Sequence, residues 1–293
     1  MKFNPGFLLL VFVMACTTSG NDVKTDEALV YTKSMNGNLD LYKSDVLGQW
    51  EERITTNPGM DWGADWIPAQ NQLTYFMHDN LGRFSWVKKS LGSQKADTLP
   101  FGDLINVRLS PDGAYLYYAY ENEKGIQIKR RRYDGTEDEF LTNEEGNRSR
   151  FGFDRQHQQM AFISDQTGHN QLFVMELASR KVKQITDLPV VAKYHSFSPE
   201  GDKIAVCLAE PGANPNWDIF IYDLTAETLE RLTNTPYSEK EIAWSLSGKK
   251  IAFHGTSSAD GEQIYTIDLE DGKFTKITSG NFYHAEPEWI EVR

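Results

Sequence analysis

Cysteine, basic charge and long apolar runs are all scarce in this chain. Its 293 residues contain two cysteines, so neither a disulfide-stapled scaffold nor a paired-cysteine zinc site is encoded. Lys and Arg number 30 against 42 Asp and Glu, and the net charge of -12 argues against a nucleic-acid partner. The apolar run from Phe7 to Val13 is too short for a membrane-spanning helix.

Local catalytic motifs are also missing. The sequence contains no G-x-S-x-G elbow for acyl transfer and no G-x-x-x-x-G-K phosphate loop. Six scattered histidines show no H-x-x-x-H spacing, so no metal site is predicted locally. They are His78, His157, His169, His195, His254 and His284. We therefore expect no cofactor, no bound metal and no enzymatic activity.

A repeat of about 44 residues is the dominant feature of the sequence. A threonine marks the end of each unit, with steps of 43, 44, 44, 47 and 45 residues: Thr55, Thr98, Thr142, Thr186, Thr233 and Thr278. An aromatic residue or leucine that opens each unit keeps the same steps: Trp66, Leu109, Phe153, Phe197, Trp244 and Trp289. This period, combined with strand-rich content, is typical of the blades of a β-propeller.

The chain ends suggest how the ring closes. Leu29-Val30-Tyr31 matches the second strand of a unit but has no first strand before it, whereas the segment around Trp289 is a first strand with nothing after it. Pairing the two would remove open sheet edges, which invite aggregation. We therefore predict an all-β, six-bladed β-propeller over residues 28–293 with four-stranded antiparallel blades. The C-terminal strand closes the first blade, which comprises residues 28–55 and 286–293.

The N-terminal segment resembles a bacterial lipoprotein signal. A lysine and a short apolar run precede Ala15-Cys16, which is similar to a lipobox. The resemblance implies a signal peptide over residues 1–15, lipidation of Cys16 and a flexible tether over residues 16–27. An ordinary secretory peptide cut nearby is the alternative. Thr17, in place of the aspartate that retains lipoproteins in the inner membrane, favours the outer membrane.

The repeats resemble those of the TolB-like (WD-type) propellers. Phe197-Ser198-Pro199-Glu200-Gly201 and Leu109-Ser110-Pro111-Asp112-Gly113 are similar to the family phrase W/F-S-P-D/E-G. The resemblance covers residues 28–293 and implies the fold more firmly than the function, because the same repeat occurs in TolB, in dipeptidyl peptidase-like enzymes and in oligogalacturonate lyases. No segment resembling TolB's α/β domain or a hydrolase domain is apparent, so we expect a propeller alone.

One face of the ring is the expected binding surface. Loops that enter the first strand of each blade share this face with the hairpins between second and third strands, and such loops commonly carry function. Aromatic rings beside charged groups there suit a peptide or a sugar, although the same residues could simply cap the blades. The candidate ligand-binding residues are Asp61, Trp62, Tyr194, His195, Trp217, Tyr237, Glu239, Tyr283 and His284.

Two functions remain open at this point. The first is a monomeric, lipid-anchored protein of the bacterial cell envelope, facing the periplasm, that binds an envelope protein or peptide through this face. The alternative is a carbohydrate-binding or polysaccharide-lyase-like propeller with a histidine-held metal, as the resemblance to oligogalacturonate lyases implies. Cys207 lies in an apolar strand and is expected to be buried without chemistry.

Overall fold

The computed structural model describes residues 27–93, 95–99, 104–212, 215–257 and 261–292. These residues form six separate four-stranded antiparallel sheets and one short 3-10 helix, Pro68–Gln70. In this part of the chain no helix is long and apolar enough to cross a bilayer. Cys16, the signal segment and most of the tether lie outside the described residues.

In five blades the four strands follow one another along the chain. In blade 1 the last strand of the chain supplies the innermost strand. Blade 1 contains β24 (His284–Glu291), β1 (Glu27–Met35), β2 (Asn38–Asp45) and β3 (Glu51–Arg53). Blade 2 contains β4 (Met60–Ile67), β5 (Gln72–His78), β6 (Phe84–Ser90) and β7 (Ala96–Thr98). Blade 3 contains β8 (Ile105–Leu109), β9 (Tyr115–Asn122), β10 (Gly125–Arg132) and β11 (Glu139–Phe140).

The second half of the ring repeats this arrangement. Blade 4 contains β12 (Arg148–Phe153), β13 (Gln159–Ser164), β14 (Gln171–Glu176) and β15 (Val182–Gln184). Blade 5 contains β16 (Val191–Phe197), β17 (Lys203–Ala209), β18 (Asp218–Asp223) and β19 (Thr228–Arg231). Blade 6 contains β20 (Ser238–Trp244), β21 (Lys250–Ser257), β22 (Gly261–Asp268) and β23 (Phe274–Lys276).

The predicted ring closure is confirmed. Strand β24 pairs with β1 in an antiparallel register that sets Leu29 opposite Trp289. Trp289 is 1% exposed, and its indole N–H donates to the carbonyl oxygen of Ala243 in blade 6 at 3.0 Å. A buried cluster containing Leu29, Tyr31, Ala252 and Trp289 fills the space between blades 6 and 1. Five further clusters fill the other inter-blade spaces, so the core is a ring of apolar layers.

The repeated threonines explain part of the blade stability. Thr55, Thr142, Thr186, Thr233 and Thr278 are buried, and each hydroxyl accepts a hydrogen bond from a backbone N–H of the third strand at 2.8 to 2.9 Å. This bond satisfies a backbone group that the short outer strand does not reach.

Thr98 does not belong to this set, and the prediction that it marks the end of the second unit was wrong. It is exposed and pairs with Val87 within β7. Leu99, the next residue, takes the place that Ile54 has in blade 1, since its N–H bonds the carbonyl oxygen of Trp86 as the N–H of Ile54 bonds that of Leu41. The outer strand of blade 2 is therefore out of step with the threonine repeat.

Candidate functional site

The strand order sets all the predicted binding loops on one face of the ring. This face, called the funnel face below, carries the loops that lead into the innermost strands β4, β8, β12, β16, β20 and β24. It also carries the hairpins that join the second and third strands of each blade. The prediction of a shared face is a direct consequence of the four-stranded blade.

A β-bulge near the funnel face distorts every innermost strand. The register shifts occur between Trp62 and Asp65 in β4 and at the equivalent places in the other five strands. At five of these bulges the residue has a left-handed backbone: Gly63, Asn106, Arg150, Glu241 and Glu286. In blade 5 Tyr194 takes the equivalent place without this conformation. Because bulges redirect side chains, these six residues form a ring at the channel mouth, here called the collar.

The acidic part of the collar is linked by hydrogen bonds across three blades. The Glu241 carboxylate accepts from the backbone N–H of Glu286 at 3.0 Å. Glu286 in turn accepts from the N–H of Gly63 at 2.9 Å and from the hydroxyl of Thr32 at 2.8 Å. Each carboxylate thus satisfies a backbone donor that the bulge of the next blade has freed.

These two carboxylates affect one another electrostatically. Burial, followed by the nearby charge of Glu241, raises the pKa of Glu286. Burial also acts on Glu241, but hydrogen bonding from His254 and from the N–H of Glu286 outweighs it and lowers the pKa of Glu241. The His254 imidazole lies 3.3 Å from Glu241 and 3.7 Å from Glu262 and is 3% exposed.

The opposite part of the collar is cationic and aromatic. The guanidinium of Arg150 lies 4.3 Å from the ring centre of Tyr194. The ammonium of Lys193 lies 5.2 Å from the same ring and 5.7 Å from that of Trp217, both within cation–π range. Burial, then the charges of Arg150 and Lys240, lower the pKa of Lys193.

The same polarity continues one step deeper in the channel. Burial, then the charge of Asp65, raise the pKa of Glu288 in blade 1. Asp65 in blade 2 pairs with Arg108 of blade 3 at 2.6 Å. The carboxylates of Asp65, Glu241, Glu286 and Glu288 thus come from blades 2, 6 and 1, and the cations Arg108, Arg150 and Lys193 come from blades 3, 4 and 5. Lys240 of blade 6 is a further cation, next to Glu241.

Three predicted site residues lie beneath the mouth rather than on it. Asp61, Glu239 and His284 occupy equivalent positions in β4, β20 and β24 and are 0%, 2% and 0% exposed. Asp61 accepts from Asn57 at 2.6 Å, Glu239 accepts from Thr233 at 2.9 Å, and His284 contacts the carbonyl oxygen of Glu262 at 3.2 Å. Burial raises the pKa of Asp61 to about 6 and that of Glu239 to about 7. These contacts join the entering loops to the blades.

Blade 5 contributes three of the predicted residues. Tyr194 and Trp217 are buried in the layer between blades 5 and 6, under Lys193. His195 hydrogen-bonds the backbone oxygen of Arg150, and burial lowers the pKa of His195 to about 4. The three side chains are brought together with Arg150 at the cationic side of the collar.

The remaining predicted residues are spread around the face. Tyr283 is 38% exposed, and its ring lies edge-on to His254 at 5.8 Å. Tyr237 is 43% exposed and lines a cleft of about 390 Å³ with Phe253, Tyr265 and Phe274. Trp62 lies on the blade 2 side with its ring edge-on to Phe76 at 4.9 Å. The predicted set is therefore dispersed rather than one compact pocket.

Of the six collar residues, only Tyr194 is among the ligand-binding residues predicted from the sequence. All six stand three residues before the unit-opening residues, so the repeat offset could have identified them. Among the described residues no group of three or more His, Cys, Asp or Glu side chains has the geometry to hold a metal. Cys207 is buried and unpaired with another cysteine, and burial raises the pKa of its thiol well above the ordinary value.

Residues 150–291 match the sequence profile of the TolB beta propeller domain. This match covers just under half of the chain and makes the propeller similar to that of TolB. It is 25% identical over 167 residues to the Tol-Pal system protein TolB of Francisella tularensis subsp. mediasiatica, a match to 41% of this chain and 38% of that protein. The chain thus matches well under half the length of these curated relatives.

Solved structures agree on the fold. The TolB-like propeller is similar to the crystal structure of TolB from Acinetobacter baumannii, with a TM-score of 0.77 and 16% identity over 90% of this chain and 67% of that one. It is also similar to an oligogalacturonate lyase in complex with manganese, with a TM-score of 0.57 and 13% identity over 86% and 74% of the two chains. At these identities the similarity shows the fold alone.

Proposed function

We propose that this TolB-like propeller works in the bacterial cell envelope, where its funnel face binds a protein or peptide partner without catalysing a reaction. The observation that carries the proposal is the polarised collar, in which Glu241 and Glu286 stand on blades 6 and 1 and Arg150 stands on blade 4, with Lys193 of blade 5 close to Arg150. The guanidinium of Arg150 and the ammonium of Lys193 both lie over the ring of Tyr194, and among the described residues neither forms an ion pair within 4.0 Å.

A peptide suits this geometry for physical reasons. Peptides carry amide dipoles and side chains of both signs, which can align with a mouth that is acidic on one side and basic on the other. The exposed ring of Tyr283 adds apolar contact area with a polar tip. The similarity to the Tol-Pal system protein TolB supports an envelope protein as the partner class.

The test is cross-linking in intact cells, followed by identification of partners, with two matched variants. The mouth variant combines Tyr283→Ser with Arg150→Asn, because asparagine tolerates the left-handed backbone at position 150. The control is Arg155→Asn, which removes the same charge from an exposed turn on the opposite face. We expect the mouth variant to lose a partner that the wild type and the control both retain. Identical partners in all three proteins would contradict the proposal.

We further propose that Cys16 is lipidated and holds the propeller at the membrane, in agreement with the lipobox-like Ala15-Cys16 pair. Cys16→Ser should prevent incorporation of labelled fatty acid and move the protein from the membrane fraction to the soluble fraction. Ser19→Ala, in the same segment, serves as the control and should leave both unchanged. Equal labelling of wild type and Cys16→Ser would refute the anchor.

A further inference from the structure

One blade departs from the others on the funnel face. In five blades the second strand carries a small, aliphatic or polar residue that is at most 3% exposed at one equivalent position: Thr32, Ala119, Ile163, Cys207 and His254. In blade 2 that position is Phe76, which is only half-buried.

Phe76 is the centre of a continuous set of rings. It lies edge-on to Trp62 at 4.9 Å, stacks on Phe84 at 5.4 Å and contacts Trp86 at 5.0 Å. His78 stacks on Phe84 at 4.4 Å. Cross-strand pairing explains the set, because residues directly opposite one another point to the same side of a sheet. These five side chains are called the aromatic platform below.

The platform faces blade 3 and reaches the surface. Trp86 packs against the apolar layer between blades 2 and 3, and its indole N–H donates to the carbonyl oxygen of Leu104 at 3.0 Å. Phe84 is 57% exposed, and Leu81 in the adjoining hairpin is 76% exposed. On blade 3, Tyr120 of β9 is 45% exposed and lies two residues beyond Tyr118, which belongs to the same apolar layer.

The chemistry of this surface favours protein over sugar. Phe84 and Leu81, the most exposed side chains here, offer no hydrogen-bonding group, and the indole N–H of Trp86 is already used, so only Trp62 and His78 could bond sugar hydroxyls that lose water on binding. An apolar side chain of a protein loses no such bonds when it packs there. Large exposed apolar patches are typical of protein interaction sites.

The negative charge of this chain indicates a partner with net positive charge. The whole chain carries a net charge of -12, which attracts cationic partners over a distance. Glu121 and Glu123 at the neighbouring hairpin are exposed and form no ion pair within the described residues. Aromatic faces also bind lysine and arginine side chains through cation–π contacts.

We infer that the aromatic platform is a docking site for a protein segment that combines apolar anchor residues with net positive charge. The inference rests on the proposed function, which makes a protein the partner, and adds where the partner's apolar side chains bind. The platform lies off the channel axis, so it can fail as a docking site while the collar still binds.

The experiment selects binders from a phage-displayed library of random peptides on the full chain. The platform variant is Leu81→Ser with Phe84→Ser, and the matched control is Leu47→Ser with Trp50→Ser, an exposed aliphatic and an exposed aromatic residue between β2 and β3 of blade 1. We expect enriched peptides to be apolar and cationic. Their affinity should fall by about tenfold or more in the platform variant and stay unchanged in the control.

The following results would each contradict the proposal that the platform is a docking site. If enriched peptides bind the platform variant normally but not the Tyr283→Ser, Arg150→Asn variant, the proposed function stands and the platform is not the docking site. Selection of anionic peptides, or of none, also contradicts the inference. In a parallel glycan array, a saccharide whose binding is lost in the platform variant would make this surface a sugar site instead.

Discussion

At the residue scale, buried hydrogen-bonding groups beneath the mouth connect the blades. Glu239 is the clearest case, because it accepts from Thr233 and Thr235 while being 2% exposed. A carboxyl in this position is better tolerated when protonated, which is why its pKa rises to about 7 from an ordinary value of 4.5.

This shift predicts a pH-dependent stability. Because the folded state holds a proton that the unfolded state releases, the contribution of Glu239 is complete below pH 4.5 and is lost as the pH rises through about 7. Glu239→Gln should therefore raise the free energy of unfolding at pH 8 by about 1–2 kcal/mol relative to wild type and flatten its decline between pH 5 and pH 8. Urea titrations across this range measure it. An unchanged pH profile in the variant would show that Glu239 titrates normally.

The threonines give a second prediction at this scale. Thr233→Val leaves the buried N–H of Ile219 without its acceptor and removes a donor to Glu239, so the free energy of unfolding should fall by about 1–3 kcal/mol. Thr98→Val is the control, because Thr98 is exposed and makes no such bond in the structure. Equal destabilisation by the two variants would refute the assigned role of the buried hydroxyl. Urea denaturation at pH 7 measures both.

At the element scale, the innermost strands combine two tasks. Their outer faces pack in the apolar layers between blades, and their bulges present the collar to the channel. Strand β24 does both while closing the ring, since Trp289 is buried in the layer between blades 6 and 1 and Glu286 belongs to the collar.

Loss of the Trp289 side chain should therefore weaken the whole ring. Trp289→Ala creates a cavity at the closure and removes the bond to Ala243, so the free energy of unfolding should fall by about 3–5 kcal/mol. Trp50→Ala is the control, because Trp50 is 44% exposed, and it should change stability by about 0.5 kcal/mol or less. Thermal and urea unfolding measure both variants. A Trp289→Ala protein as stable as wild type would contradict the importance of the closure.

How far the sequence predicted this architecture differs from element to element. The blade number and the closure could be predicted from the spacing of the unit-opening residues. One of these residues packs in each inter-blade layer, so their positions in the sequence are fixed by the packing. Thr98 misled the threonine count, since it stands one residue before Leu99, the equivalent of Ile54, whereas the buried threonine of blade 1, Thr55, follows Ile54. The collar depends on the left-handed backbone of residues such as Arg150 and Glu241, and arginine and glutamate do not indicate that conformation in a sequence. The aromatic platform needed the strand register to bring Trp62, Phe76 and Trp86 side by side.

At the scale of the whole molecule, one face differs from the rest of the ring in charge and in exposed rings. At the channel mouth the carboxylates of Glu241 and Glu286 come from blades 6 and 1 and the guanidinium of Arg150 comes from blade 4, so a bound peptide would have a preferred orientation. Interactions at exposed charges weaken as salt screens them. Binding at the mouth should therefore weaken as ionic strength rises, whereas apolar contacts at the platform should be less affected.

The most direct test of binding at the funnel face is site-specific photo-cross-linking in intact cells. A photoreactive phenylalanine analogue is placed at Tyr283 on the mouth and, as the control, at Tyr133, which lies in the turn between the third and fourth strands of blade 3 on the opposite face. If the funnel face binds a protein, position 283 gives protein adducts that are absent from position 133. Adducts from position 133 alone, or from neither position, would contradict it.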